Sequence, residues 1–155
     1  QLGDIFAGQP VIGRSSRTPW DGAGFRKAIE ATGRKKRGMT GLWTEVCITW
    51  PTIEMLGAGY NIYVVEDCCG ATSPAAQEAA LSRMVQAGAV RLTTIAALLE
   101  WQRDWKNKEH YNALMGILKQ QGGAYGVGVE YANTMVHHAP QSAQKPQIVP
   151  KSAAH

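Results

Sequence analysis

Helical and strand-like segments alternate along this chain, and this alternation restricts the fold more than any other feature. Periodicity and capping residues predict helices over 22–32, 47–56 and 73–88, one beginning near Thr94, and one over 107–120. Between them lie predicted strands over 39–43, 60–67 and 89–94, of which YNIYVVED has the highest β-propensity. Strands separated by helices pair in parallel. We therefore expect an α/β fold, a Rossmann-like three-layer α/β/α sandwich with a parallel sheet.

The C-terminal third is less regular. Residues 122–136 are rich in glycine with little helical period, and we expect an irregular arm that packs on a neighbouring subunit. The last residues are rich in Pro, Gln, Ser and Ala. The predicted organisation is one partial domain over 1–136 and a flexible tail over 137–155.

Composition excludes several classes of protein. The 155 residues, 45% hydrophobic and 18% charged, are those of a globular domain with a core. No apolar run approaches the ~20 residues that cross a bilayer, so no membrane partner is expected. Three cysteines, Cys47, Cys68 and Cys69, form no disulfide framework. A reducing compartment fits best, and we predict a cytoplasmic location.

Cys47 is the candidate nucleophile. It follows the predicted strand 39–43 and begins the predicted helix 47–56, where unpaired N–H groups and the helix dipole favour a thiolate. Ligands of parallel sheets bind at the carboxyl ends of the strands, which is where Cys47 lies. A small buried hydrophobe is the alternative reading of this cysteine.

Other sites are disfavoured. The basic run GRKKRG (33–38) reads as a solvated helix end, and no aromatic interleaving supports a nucleic-acid partner. The four histidines have no zinc-like spacing, and GAYGVGVEY (123–131) lacks the third glycine of a dinucleotide loop. We expect no metal and no cofactor.

Four segments, GLWTEVC (41–47), GYNIYVVEDCCGATS (59–73), SRMVQAGAV (82–90) and LLEWQRDW (98–105), resemble the isochorismatase-like cysteine hydrolases, specifically their YcaC-type branch. The resemblance covers about Pro10 to Trp105. It implies an amidase-like reaction on a small molecule: Cys47 attacks an amide or related carbonyl, and water hydrolyses the acyl-thioester. It also implies a homo-oligomer.

The resemblance further implies a site. A non-proline cis peptide would join Leu42 to Trp43, and the Trp43 and Cys47 N–H groups would form an oxyanion hole. The basic residue of this branch would be Arg14, with Arg17 as a rival because the spacing to Trp20 is one residue short. A guanidinium would hold an acidic partner and favour the thiolate, but would not carry protons.

The chain departs from the family pattern in two ways. The expected aspartate and the first strands would lie upstream of Gln1, so we expect either a piece of a longer hydrolase or a truncated, inactive scaffold. Arg37 and Gly38 also interrupt what should be a buried apolar strand, which predicts a weaker strand or a later start.

Aromatic residues complete the predicted site. Trp20, Trp43 and Trp50 form either a wall that selects a small flat or apolar acyl group, or core and subunit contacts. We assign Trp20, Leu42, Thr44 and Trp50 to substrate binding, and Cys47, Arg14 and Trp43 to catalysis.

Overall fold

The computed structural model describes residues 2–9, 11–13 and 15–136. The predicted tail over 137–155 and the side chain of Arg14 lie outside the described residues. The chain divides into two compact units, the first ending at Thr94 and the second beginning at Ile95. No helix in the described ranges is long and apolar enough to span a membrane.

The first unit contains the predicted α/β alternation. Its elements are α1 (Leu2–Ile5), a 3₁₀ turn (Pro19–Asp21), α2 (Ala23–Ala31), β1 (Lys36–Leu42), a π-helical turn (Thr44–Ile48), α3 (Thr49–Gly57), β2 (Asn61–Gly70), α4 (Pro74–Gln86) and β3 (Val90–Leu92). The sheet has the order β1-β2-β3, and both strand pairs are parallel. The predicted fold class, a parallel sheet with flanking helices, is confirmed.

The core of this unit lies where α3 and α4 meet β2. Ile62 and Val64 alternate along β2 and therefore point to one face of the sheet. Each is 1% exposed, as are Met55 of α3 and Met84 of α4, and all four belong to one buried cluster. Apolar burial of this kind supplies most of the stability of such a unit.

β1 begins at Lys36, so the prediction of a later start is wrong. Arg37 is accommodated because its guanidinium donates to the Ile29 carbonyl at 2.9 Å and to the Thr32 hydroxyl at 2.5 Å. It also lies over the Tyr60 ring, 5.6 Å from the centroid. β1 alternates between exposed and half-buried residues, so this strand does not need the continuous apolar run of one buried on both faces.

The pairing of β1 with β2 is irregular near the carboxyl end. Met39 pairs with Val64 and Gly41 with Cys69, so two steps along β1 correspond to five along β2. Gly41 has φ +134°, a conformation open to glycine and few other residues. The irregularity carries Cys68 and Cys69 alongside the end of β1, where the candidate site begins.

The second unit is helical, with α5 (Thr94–Gln102, whose first residue is the last of the first unit), α6 (Tyr111–Gln121), α7 (Gly123–Tyr131) and a π-helical turn (Ala132–Val136). The irregular conformation predicted over 122–136 is therefore wrong, whereas the packing of this segment on a neighbouring subunit stays a prediction. Gly122 and Gly126 lie against the Leu118 carbonyl oxygen, and a Cβ at either position would clash with it. These glycines permit the close contact of α6 with α7, which is a packing role that helical periodicity does not reveal.

Candidate active site

Cys47 lies in the turn that connects β1 to α3. β1 ends at Leu42, Trp43 is the N-cap residue, and Cys47 is the fourth residue of the turn Thr44–Ile48. Its side chain is half-buried. The thiol therefore follows the carboxyl end of a parallel strand, at the start of helical structure, as the sequence predicts.

The backbone of this turn differs from the expectation of unpaired amides. The Cys47 N–H donates to the Trp43 carbonyl at 2.9 Å, and the Val46 and Ile48 N–H groups approach the same oxygen at 3.1 and 3.3 Å. The Cys47 N–H is thus paired, because it lies four residues after the N-cap Trp43 and bonds the carbonyl of that residue. An oxyanion would have to compete with Trp43 for this donor.

The peptide bond between Leu42 and Trp43 is cis, as the family resemblance implies. The two side chains that flank it are large, apolar and accessible: Leu42 is 62% exposed and Trp43 48%. Trp50, near the start of α3, is 42% exposed. These three predicted site residues thus present apolar surface on the segment that contains Cys47.

Trp20 requires a correction. Its ring meets the Tyr60 ring edge-on, with the centroids 5.6 Å apart, and it packs against the buried cluster. Tyr60 immediately precedes β2, at the amino end of the parallel sheet, whereas Cys47 follows the carboxyl end of β1. Trp20 therefore packs against the core at the opposite end of the sheet from Cys47, and we remove it from the substrate-binding residues.

Thr44, which we assigned to substrate binding, is buried in the structure. It is 0% exposed, and its carbonyl accepts a 2.6 Å hydrogen bond from the hydroxyl of Thr49, which is 1% exposed. The Thr44 hydroxyl has no hydrogen-bond partner among the described residues. The Thr49 bond ties the turn to the first residue of α3, and the side chain of Thr44 does not face solvent.

A contact that the sequence analysis missed joins the turn to the end of β2. One oxygen of Glu45, Oε1, accepts hydrogen bonds from the Thr72 hydroxyl at 2.7 Å and from the Thr72 N–H at 3.1 Å. The Thr72 hydroxyl is the main reason that the pKa of the Glu45 carboxyl lies below its ordinary value of 4.5. Glu45 is therefore ionised at neutral pH.

The other two thiols lie on the neighbouring strand in different environments. Burial raises the pKa of the Cys69 thiol above its ordinary value of 9.0, against the opposing effect of the Gly41 N–H. Cys68 is exposed, with its sulfur 2.9 Å from the Thr94 hydroxyl oxygen. That hydroxyl and the Thr94 N–H donate to one oxygen of Asp67 at 2.9 and 2.8 Å.

Other candidate groups are less informative. Arg17, the rival for the basic position, is exposed. Within the described ranges no group of three or more His, Cys, Asp or Glu side chains is placed to hold a metal ion. A shallow depression in the second unit is lined by Ala96, Leu99, Glu100 and Arg103 and contains no thiol.

Comparison with known proteins settles the family. The family model for the isochorismatase domain matches residues 4–96. The chain belongs to the isochorismatase family. It is 35% identical over 103 residues to the "probable hydrolase YcaC" of Escherichia coli K12, an alignment that covers 66% of this chain and 50% of that protein. The chain thus spans about half the length of this relative.

Solved structures show the same relationship. YcaC from Pseudomonas aeruginosa, determined with hexane-2,5-diol and covalent acrylamide, matches with a TM-score of 0.77 and 33% identity, over 86% of this chain and 65% of that one. Escherichia coli YcaC, described as an octameric hydrolase of unknown specificity, matches with a TM-score of 0.74 and 30% identity, over 88% and 64%. Both similarities agree with the isochorismatase-like fold.

Proposed function

We propose that the protein is a cysteine-dependent hydrolase of a small amide or related C–N substrate, with Cys47 as its nucleophile. The observation that carries the proposal is the position of Cys47: a half-buried thiol in the turn after a parallel strand, on a segment with exposed apolar side chains. Leu42, Trp43 and Trp50 would contact the acyl group of the substrate.

The proposed reaction has two steps. The Cys47 thiolate attacks the carbonyl carbon, the C–N bond breaks, and the amine leaves after taking up a proton. Water then attacks the thioester, which releases a carboxylate and restores the thiol. We assign the oxyanion first to the Trp43 N–H, because the Cys47 N–H already bonds the Trp43 carbonyl at 2.9 Å. Arg14 is the proposed cation that favours the thiolate.

The relatives support this assignment. The structure of YcaC from Pseudomonas aeruginosa contains covalent acrylamide. Acrylamide is an electrophile to which thiolates add, and it is also a small primary amide. We propose that the Cys47 thiolate of this protein adds to acrylamide. Because Escherichia coli YcaC is an octameric hydrolase, we also propose that this protein forms a homo-oligomer.

A panel of small primary amides tests the proposal, with released ammonia as the measurement. The wild-type protein should release ammonia from at least one amide, and Cys47→Ser should abolish this activity. Cys68→Ser is the matched control, since Cys68 is an exposed thiol on the neighbouring strand, and it should retain activity. Undiminished ammonia release by Cys47→Ser would overturn the assignment of the nucleophile.

A further inference from the structure

We propose that Glu45 is a positioning residue for Cys47: its carboxylate, held by Thr72, fixes the turn Thr44–Ile48 against the segment that follows β2. This inference rests on the proposed function, because it takes Cys47 as the reacting group. The contact between Glu45 and Thr72 is called the carboxylate clamp below.

The clamp joins two parts of the chain that are 27 residues apart in sequence. Both donors of Thr72, the hydroxyl and the backbone N–H, converge on a single oxygen of Glu45 at 2.7 and 3.1 Å. Hydrogen bonds to an ionised acceptor are shorter and stronger than those between neutral groups. Two such bonds to one residue therefore restrain the position of Glu45, and with it the turn that contains Cys47.

The partner side of the clamp is itself anchored. Thr72 directly precedes Ser73, the N-cap residue of α4, whose hydroxyl accepts the Ala76 N–H at 3.1 Å. α4 contributes Leu81 and Met84 to the buried cluster, with exposures of 2% and 1%. The turn is thus tied to a helix that the core holds in place.

The geometry argues for positioning and against a direct catalytic role. Residues two apart on a helical turn do not face each other, so Glu45 does not point along the same side as Cys47. The bonded oxygen, Oε1, already accepts two hydrogen bonds. The other oxygen, Oε2, is shielded from solvent and has no hydrogen-bond partner among the described residues. The side-chain contacts of this carboxylate with a distant part of the chain are therefore those with Thr72.

Three variants test the clamp in the full chain. Thr72→Val keeps the side-chain shape and the backbone N–H but removes the hydroxyl. Thr72→Ser is the control, because it keeps the hydroxyl. Glu45→Ala removes the carboxylate that accepts both hydrogen bonds. Two rates are measured: amide hydrogen exchange in residues 43–48, and alkylation of Cys47 by iodoacetamide at pH 7, quantified on its own peptide.

Thr72→Val should speed exchange in the turn and slow Cys47 alkylation, each about fivefold, since one hydrogen bond is lost. Thr72→Ser should stay close to wild type. The double variant Glu45→Ala/Thr72→Val should behave like Glu45→Ala alone, because Glu45→Ala already removes the hydrogen bond that Thr72→Val would remove.

The inference is overturned if Thr72→Val leaves either exchange in the turn or Cys47 alkylation unchanged, if Thr72→Ser behaves like Thr72→Val, or if the double variant shows the sum of the two single effects. Failure of the proposed function has a different signature, because Cys47 would then show no preferential alkylation in the wild-type protein. The exchange measurement would still report on the clamp in that case.

Discussion

Gly126→Ala should destabilise the contact between α6 and α7. A methyl group at this position would overlap the Leu118 carbonyl oxygen and would lie 2.9 Å from the Lys119 carbonyl oxygen and 3.1 Å from its Cα. All three are backbone atoms, so no side-chain rotation relieves the clash and the helices must separate. Overpacking of this kind costs about 1–3 kcal/mol of unfolding free energy.

The chain offers a matched control on the same helix. A Cβ at Gly128 would have no heavy atom within 4 Å. Gly128→Ala should therefore stabilise the protein by about 0.5–1 kcal/mol, because alanine loses less conformational entropy in a helix.

Urea denaturation followed by far-UV circular dichroism measures both effects. The midpoint should fall for Gly126→Ala and rise for Gly128→Ala, with similar slopes. A Gly126→Ala variant as stable as wild type would refute the argument that glycine here is required by the approach of α7 to the Leu118 carbonyl.

Three further predictions follow from single residues. Alkylation of Cys69, measured by peptide mapping against pH, should increase steeply only above pH 9.0, because its raised pKa keeps the thiol protonated below that value. Arg37→Met should lower the unfolding free energy by about 1 kcal/mol in urea, since the Ile29 carbonyl and the Thr32 hydroxyl lose their guanidinium contacts. Gly41→Ala should cost about 1–3 kcal/mol by the same assay, because alanine disfavours φ +134°.

Each of these has a contradicting result. Equal labelling of Cys69 and Cys68 at pH 7 would show that burial does not protect Cys69. An unchanged urea midpoint for Arg37→Met would mean that the hydrogen bonds of the guanidinium contribute nothing to the unfolding free energy. A fully stable Gly41→Ala protein would remove the argument for glycine at the irregular pairing.

Much of the fold is predictable because its signals are local. The helix predicted over 73–88 is present as α4, with Ser73 as its N-cap, its end at Gln86 and Gly88 at φ +106°. The strand predicted over 60–67 is present as Asn61–Gly70. These elements depend on capping, periodicity and β-propensity, which neighbouring residues in the sequence determine.

The predictions fail where contacts between residues far apart in sequence determine the local structure. Arg37 lies in β1 because α2 and Thr32 supply acceptors for its guanidinium. Trp20 does not line the predicted crevice, because its ring packs against Tyr60 and the buried cluster. Gly122 and Gly126 lie against the Leu118 carbonyl oxygen of α6, a close contact that a side chain would prevent. None of these partners is indicated by local sequence.

The site was predicted in outline only. The carboxyl end of β1 located Cys47, and the family resemblance indicated the cis bond at Leu42–Trp43. The contact between Glu45 and Thr72 was not anticipated, because the two residues are far apart in sequence. Topology was the one available signal: each residue follows the carboxyl end of a strand, and the two strands are neighbours in the sheet.

The most direct test of the account is the rate of acrylamide addition at each cysteine at pH 7. Cleavage after glutamate separates Cys47, between Glu45 and Glu54, from the adjacent pair Cys68 and Cys69, between Glu66 and Glu78. In the folded protein Cys47 should react faster than the more exposed Cys68, and unfolding in urea should abolish this preference. Faster modification of Cys68, or an identical ratio in the folded and unfolded protein, would contradict the claim that the fold activates Cys47.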